Sequence, residues 1–242
     1  MAVPVRAVLF DFGGTLFDYA DLARGQVESL VALARRIGLD ADPGALAGAQ
    51  RRATSRVFRD YLPRAYYLHQ DLFADALRET GRELGRELSD EDLAFYFAEQ
   101  FRNRARDFRL REGVVATLEA LRARGLHLGI VSNIDDEDLH HLVDLGRLRP
   151  HFDSLLSSEA AASCKPDPRI FALALERAGC APAEALFVGD TLAQDVAGAN
   201  RHGLRSVLLW HRDDKPPPAG EERPHHVVRG IPDLLDLLDG RG

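Results

Sequence analysis

Cysteine is scarce in this chain: Cys164 and Cys180 are the only two among 242 residues. That excludes a disulfide framework, and the two offer no metal-ligand spacing. Such usage suits a reducing cytoplasm, the expected location. Lysine is nearly missing too. Of 31 basic residues only Lys165 and Lys215 are lysines, so each can be weighed singly. Long apolar runs are absent, and none approaches the ~20 residues that a membrane span requires. The N-terminal residues lead straight into a first apolar run, which leaves no room for a signal peptide. Excess positive charge is also lacking. The formal net charge is −7, so no general attraction to nucleic acid is expected.

What is present is ordinary in bulk and informative in order. Hydrophobic residues make up 45% and charged residues 29%, which fits a globular chain with a full core. The length suits one large domain, or a core with a smaller insert. Val5-Arg6-Ala7-Val8-Leu9-Phe10 reads as a short buried strand. Residues 18–108 then carry only helical patterning. Leu22, Leu30, Leu33, Ala34 and Ile37 fit one face, and Leu68, Leu72, Phe73, Ala76 and Leu77 fit another. Asp42-Pro43 reads as an N-cap with proline in the first turn, and Ser89 with Asp92 as a capping box.

Beyond this block the rhythm changes. Helices are expected at 114–124, 137–145, 168–178, 191–203 and 232–238. Strands are expected at 126–131, 152–156, 186–188, 206–210 and 227–228. Residues 213–224, with three consecutive prolines, read as an exposed loop. Such alternation means βαβ units and a parallel sheet with helices on both faces. The fold class is therefore α/β, with a Rossmann-like core at 1–17 and 109–242 and an inserted helical unit at 18–108.

Four polar sites accompany the ends of these strands: Asp11, Ser132-Asn133, Lys165, and Asp190 with Asp195. Strands of a parallel sheet share one carboxyl edge, so the four sites can converge there. Their chemistry suits phosphoryl transfer. A carboxylate can attack phosphorus, while a hydroxyl, an amide and an ammonium can hold the other oxygens. Two acids, Asp11 and Asp190, can hold Mg²⁺, which offsets repulsion between an anionic nucleophile and an anionic substrate.

In these motifs the chain resembles the haloacid-dehalogenase-like hydrolase superfamily, in the branch with a helical cap inserted after the first motif. The first motif is matched by Asp11-Phe12-Gly13-Gly14-Thr15-Leu16 and the second by Ser132. The third is matched by Lys165 in Cys164-Lys165-Pro166, and the fourth by Gly189-Asp190 with Asp195. Four motifs in order along nearly the whole chain are far more specific than any one. The resemblance implies a phosphatase of a small phosphorylated substrate with Mg²⁺ as cofactor. Asp11 would be the nucleophile and Lys165 and Asp195 its catalytic partners. Ser132, Asn133 and Lys165 would bind substrate. Asp11, Asp190 and the Gly13 carbonyl would ligate the metal. Residues 18–108 would be the cap.

Gly13 departs from the family pattern. Phosphatases of the family carry an Asp there, which protonates the leaving group and later activates water. Losing a general acid costs on the order of 10² to 10⁴ in rate. Two further readings stay open. A 2-haloacid dehalogenase would use Asp11 on carbon without a metal, though retention of Asp190 and Asp195 argues for metal and phosphate. A binding protein would hold a phosphorylated ligand or partner with little turnover. A phosphonate hydrolase would need a cap lysine, and residues 18–108 contain none. Asp135, Asp136, Glu137 and Asp138 read as solvated residues at a helix start. Arg56, Arg59, Arg64, Tyr61, Tyr66 and Tyr67 read as packing or surface residues of the helical unit.

Overall fold

The structure, a computed structural model, describes residues 3–210 and 220–241. Much of the proline loop expected at 213–224 thus lies outside the described residues. The chain divides into two compact units, Met1–Asp18 with Leu110–Gly242, and Tyr19–Arg109. Among the described residues no helix is long and apolar enough to cross a membrane.

The first unit is built on a six-stranded parallel sheet. Its strands are β1 (Ala7–Phe10), β2 (His127–Ser132), β3 (Ser154–Ser157), β4 (Ala185–Gly189), β5 (Arg205–Leu209) and β6 (His226–Val228), in the order β3-β2-β1-β4-β5-β6. The helices, in chain order, are α1 (Tyr19–Arg36), α2 (Pro43–Tyr61), α3 (His69–Glu83) and α4 (Asp90–Asp107) of the second unit. Then come α5 (Val114–Ala123), α6 (Asp136–Leu145), α7 (Ser158–Ala161), α8 (Pro168–Ala178), α9 (Ala197–Arg201) and α10 (Asp233–Leu238) of the first. This is the expected α/β, Rossmann-like architecture.

All four residues of β1 are fully buried, as a central parallel strand covered on both faces requires. Leu9, Val131 and Phe187 pack with Ile170, Phe171 and Ala174 of α8 and Ala199 of α9 in one core cluster. Helix α8 starts where its sequence allows. Asp167 accepts from the Arg169 N–H, Pro168 occupies the first turn, and Gly179 ends it in the left-handed region at φ +59°. The second unit has its own core, with Leu30, Leu33, Ala34, Leu46, Leu77, Leu93 and Tyr96. Asp42 caps α2, and Ser89 with Asp92 forms the capping box of α4, as their sequences indicate.

Register places the site. Phe10 lies opposite Ile130 of β2 and Val188 of β4. Asp11, Ser132 and Asp190 therefore leave neighbouring strands within two residues of one level. The sheet order reverses direction between β1 and β4, and open α/β sheets bind ligands at that crevice.

The segment after β4 differs from the expected single helix. Residues Leu192–Val196 form a π-turn before α9, with the Val196 N–H reaching the Thr191 carbonyl at 3.2 Å. The widened turn accompanies a side-chain demand. Asp195 accepts from both the N–H and the hydroxyl of Thr191, at 2.9 and 2.5 Å. π-Turns of this kind cluster at functional sites.

Candidate active site

Asp11 is the first residue past β1, and its N–H still donates to the Val188 carbonyl at 2.8 Å. Asp11 is 6% exposed, and its carboxylate accepts from three side chains on three chain segments. Oδ1 accepts from Ser132 Oγ at 3.1 Å and from Lys165 Nζ at 2.7 Å. Oδ2 accepts from Thr15 Oγ1 at 3.2 Å, and the same hydroxyl lies 3.5 Å from Asp190 Oδ1. Asp190 completes the set, because one ligand oxygen from each of Asp11, Asp190 and Asp195 lies within 4.8 Å of the others.

Lys165 is 3% exposed and has two acidic partners. Its Nζ donates to Asp11 Oδ1 and to Asp195 Oδ1, both at 2.7 Å. The ammonium also lies 5.2 Å from the Phe187 ring centroid. Burial alone disfavours a charged lysine, but the two carboxylates outweigh it and hold the pKa above its usual value. Asp195 is therefore tied to Lys165 on one oxygen and to Thr191 on the other, so it orients the ammonium.

The Asn133 side chain meets the Lys165 backbone. Its Oδ1 accepts from the Lys165 N–H at 2.6 Å, and its Nδ2 donates to the Lys165 carbonyl at 2.9 Å and to Gln194 Oε1 at 3.3 Å. The amide thus grips both polar groups of the Lys165 backbone. Ser132, by contrast, aims its hydroxyl directly at Asp11.

Two glycines make the close approach possible. Gly14 adopts φ +90°, and a Cβ there would collide with the Asp190 carboxylate. A Cβ at Gly189 would strike Asp195. Small residues at these positions let acids press against backbone. The electrostatic result is a buried cluster of three acids with one ammonium. Burial, then the charges of Asp11 and Asp195, push Asp190 up to about 7 against the opposing pull of Lys165. Asp11 is raised as well, by burial foremost and with Lys165 opposing.

The turn that carries the first motif is a small closed structure. Gly14 N–H donates to the Phe17 carbonyl and Leu16 N–H to the Phe12 carbonyl, both at 2.9 Å, and Gly13 bridges to Phe17. Gly13 contributes no side chain to the cluster. Arg111, which the sequence did not single out, fixes this turn from outside. Its Nε and Nη2 donate to the Gly14 carbonyl at 3.2 and 2.8 Å. Nothing in the local sequence around position 111 signals that role, because its partner is 97 residues away. Thr15 stood inside the motif and could have been found there.

The remaining polar candidates have partners of their own. Asp136, Glu137 and Asp138 occupy the first turn of α6, where negative charge complements the helix dipole. In the second unit Arg56 pairs with Glu79 and Glu83, Arg64 lies over the Tyr61 ring, and Tyr61 packs edge-on against Tyr67.

A family model described as haloacid dehalogenase-like hydrolase matches residues 5–203. The chain is 34% identical over 220 residues to the haloacid dehalogenase-like hydrolase domain-containing protein 3 of Bos taurus, covering 85% of this chain and 84% of that protein. It is 30% identical over 241 residues to the glyceraldehyde 3-phosphate phosphatase of Methanopyrus kandleri, covering 97% of each. The crystal structure of an L-2-haloacid dehalogenase aligns with a TM-score of 0.76 at 28% identity, covering 98% of this chain and 99% of that one.

Proposed function

Since the chain belongs to the haloacid dehalogenase-like hydrolases, we propose that it is a Mg²⁺-dependent phosphatase of a small phosphorylated metabolite. One observation carries the reading: Asp190 stands beside Asp11, so the site gathers three carboxylates around one ammonium. Attack on carbon gives no use for that third acid. The donor set fits a hard divalent cation, because carboxylate oxygens converge, and burial, then the charges of Asp11 and Asp195, push Asp190 up to about 7. Asp11, Asp190 and the Gly13 carbonyl would hold Mg²⁺. When bound, it supplies charge neutralisation for the phosphoryl oxygens and for Asp11.

The chain's own groups account for the rest. An oxygen of Asp11 attacks phosphorus, a P–O bond forms, and the bond to the leaving oxygen breaks. Lys165, itself held by Asp195, orients Asp11 and opposes the rise that burial imposes on its carboxyl. Ser132 and Lys165 donate to the phosphoryl oxygens. Asn133 holds the Lys165 backbone, so that the ammonium meets the nucleophile. Water then cleaves the aspartyl-phosphate. Gly13 supplies no proton, so the leaving group departs with its own proton source or as an anion. The Tyr19–Arg109 unit serves as the cap that selects substrate. The cysteine usage supports a cytoplasmic location.

A second reading is favoured by Gly13 together with the similarity to an L-2-haloacid dehalogenase. There Asp11 would displace halide from carbon without a metal. A panel of phosphorylated metabolites and 2-haloacids, assayed with and without Mg²⁺, separates the readings. Metal-dependent phosphate release is expected. Metal-independent halide release would instead establish the dehalogenase. Tight binding with neither product would make the chain a phospholigand-binding protein.

A further inference from the structure

We propose that Arg111 is a positioning residue for Asp11, acting through the Gly14 carbonyl; this rests on the reading of Asp11 as nucleophile. Three observations carry it. The guanidinium donates twice to one backbone oxygen, which fixes direction as well as distance. That oxygen belongs to the residue whose Cα lies against the Asp190 carboxylate, in a backbone conformation that ordinary side chains avoid. The Arg111 N–H also donates to the Leu16 carbonyl at 2.9 Å. One residue therefore grips the motif turn at two points.

Arg111 also bonds to the place where the chain leaves the first unit. Its Nη2 lies 3.1 Å from Asp18 Oδ2, and Phe17 bridges to Leu110 beside it. The departing segment at 17–18 and the returning segment at 110–111 are thus fastened to each other and to the turn. The Asp18 pair is the outer and more exposed contact, with side-chain exposures of 20% for Arg111 and 44% for Asp18. Exposed pairs contribute little, so the Gly14 contact is the one that matters.

The function of this clamp is to hold residues 12–15 at fixed spacing from Asp190. Thr15, which touches both Asp11 and Asp190, rides on the same turn. A small displacement there misplaces the nucleophile relative to the phosphoryl pocket, and misplacement of about 1 Å can cost on the order of 10²-fold in rate.

The test compares Arg111→Gln, Arg111→Lys and Asp18→Asn with the parent chain. Amide hydrogen exchange is read at Gly14 and Leu16. Turnover is read with p-nitrophenyl phosphate plus Mg²⁺, and with 2-chloropropionate. For Arg111→Gln we expect exchange at both amides to rise about tenfold and kcat to fall about ten- to a hundredfold with KM little changed. Strand β5 should keep its protection. Arg111→Lys should recover part of both effects, and it also serves if the Gln variant does not fold. Asp18→Asn should stay within about twofold of the parent. Unaltered exchange at Gly14 and Leu16 overturns the proposal. So does faster exchange with kcat retained, since the contact would then be structural only. If the parent turns over neither compound, the phosphatase reading fails and the role of Arg111 in positioning a nucleophile fails with it, whereas turnover by the parent with unaltered exchange overturns the role of Arg111 alone.

Discussion

At the scale of single residues, the site turns on one buried cation between two acids. The Lys165 ammonium meets Asp11 and Asp195, and each contact is 2.7 Å. Removing one member of such a buried group leaves charge without compensation, which costs about 3–5 kcal/mol. Lys165→Met should therefore lower stability by about that amount. Denaturant midpoints check this, and an unchanged midpoint would show the cluster to be far better solvated than its burial suggests. The double variant Lys165→Met with Asp195→Asn should recover part of the loss, because one buried charge fewer remains. Asp11→Asn keeps shape and removes the attacking charge. Turnover should fall by on the order of 10⁴ or more while the fold is retained. Residual activity near the parent's would mean that another group attacks.

At the scale of elements, the local sequence decides where helices begin. Ser89 Oγ accepts from the Asp92 N–H, and Asp92 accepts from the Ser89 N–H at 3.1 Å and from its hydroxyl at 2.8 Å. Those bonds, from the hydroxyl foremost and then the N–H, hold the Asp92 carboxyl below its usual range. A lowered carboxylate pKa means that the folded state binds the proton less readily than the unfolded state. The cap's contribution is thus present above about pH 4 and fades as pH falls through the folded value. Ser89→Ala should cost about 1 kcal/mol at neutral pH. The gap between variant and parent in thermal melts should narrow below about pH 4. A gap independent of pH would show that Asp92 contributes nothing to the cap. Alternation of apolar and helical runs was equally legible for β1, β2, β4 and α8. The π-turn after β4 was not. It widens where Asp195 must accept two bonds from Thr191 while it reaches Lys165, and that demand comes from a residue 30 positions away.

At the scale of the whole molecule, two cores support two units. Leu77 is fully buried within the cluster of the second unit, and Phe171 within the cluster of the first. Leu77→Ala should destabilise by about 2–5 kcal/mol, from lost transfer energy plus the residual cavity. The loss should be local. Amides of α1 to α4 should exchange faster while those of β1 and β4 keep their protection. Equal acceleration in both units would show that they unfold as one. The same division explains how the site can be assembled wholly from the first unit: Asp11, Thr15, Arg111, Ser132, Asn133, Lys165, Asp190 and Asp195 all lie in Met1–Asp18 or Leu110–Gly242.

The sequence by itself determined the α/β class, the helical run between the first motif and the second strand, and the four polar sites that accompany the strands. It could do so because apolar periodicity and turn residues act over a few positions, and because parallel strands share one carboxyl edge. Only the tertiary structure decided which atoms those residues meet. It turned the Asn133 amide to the Lys165 backbone, set Asp190 within reach of Asp11, and brought Arg111 to the Gly14 carbonyl. Each of these contacts joins segments far apart in the chain. Strand register and packing fix such distances, and no local pattern encodes them.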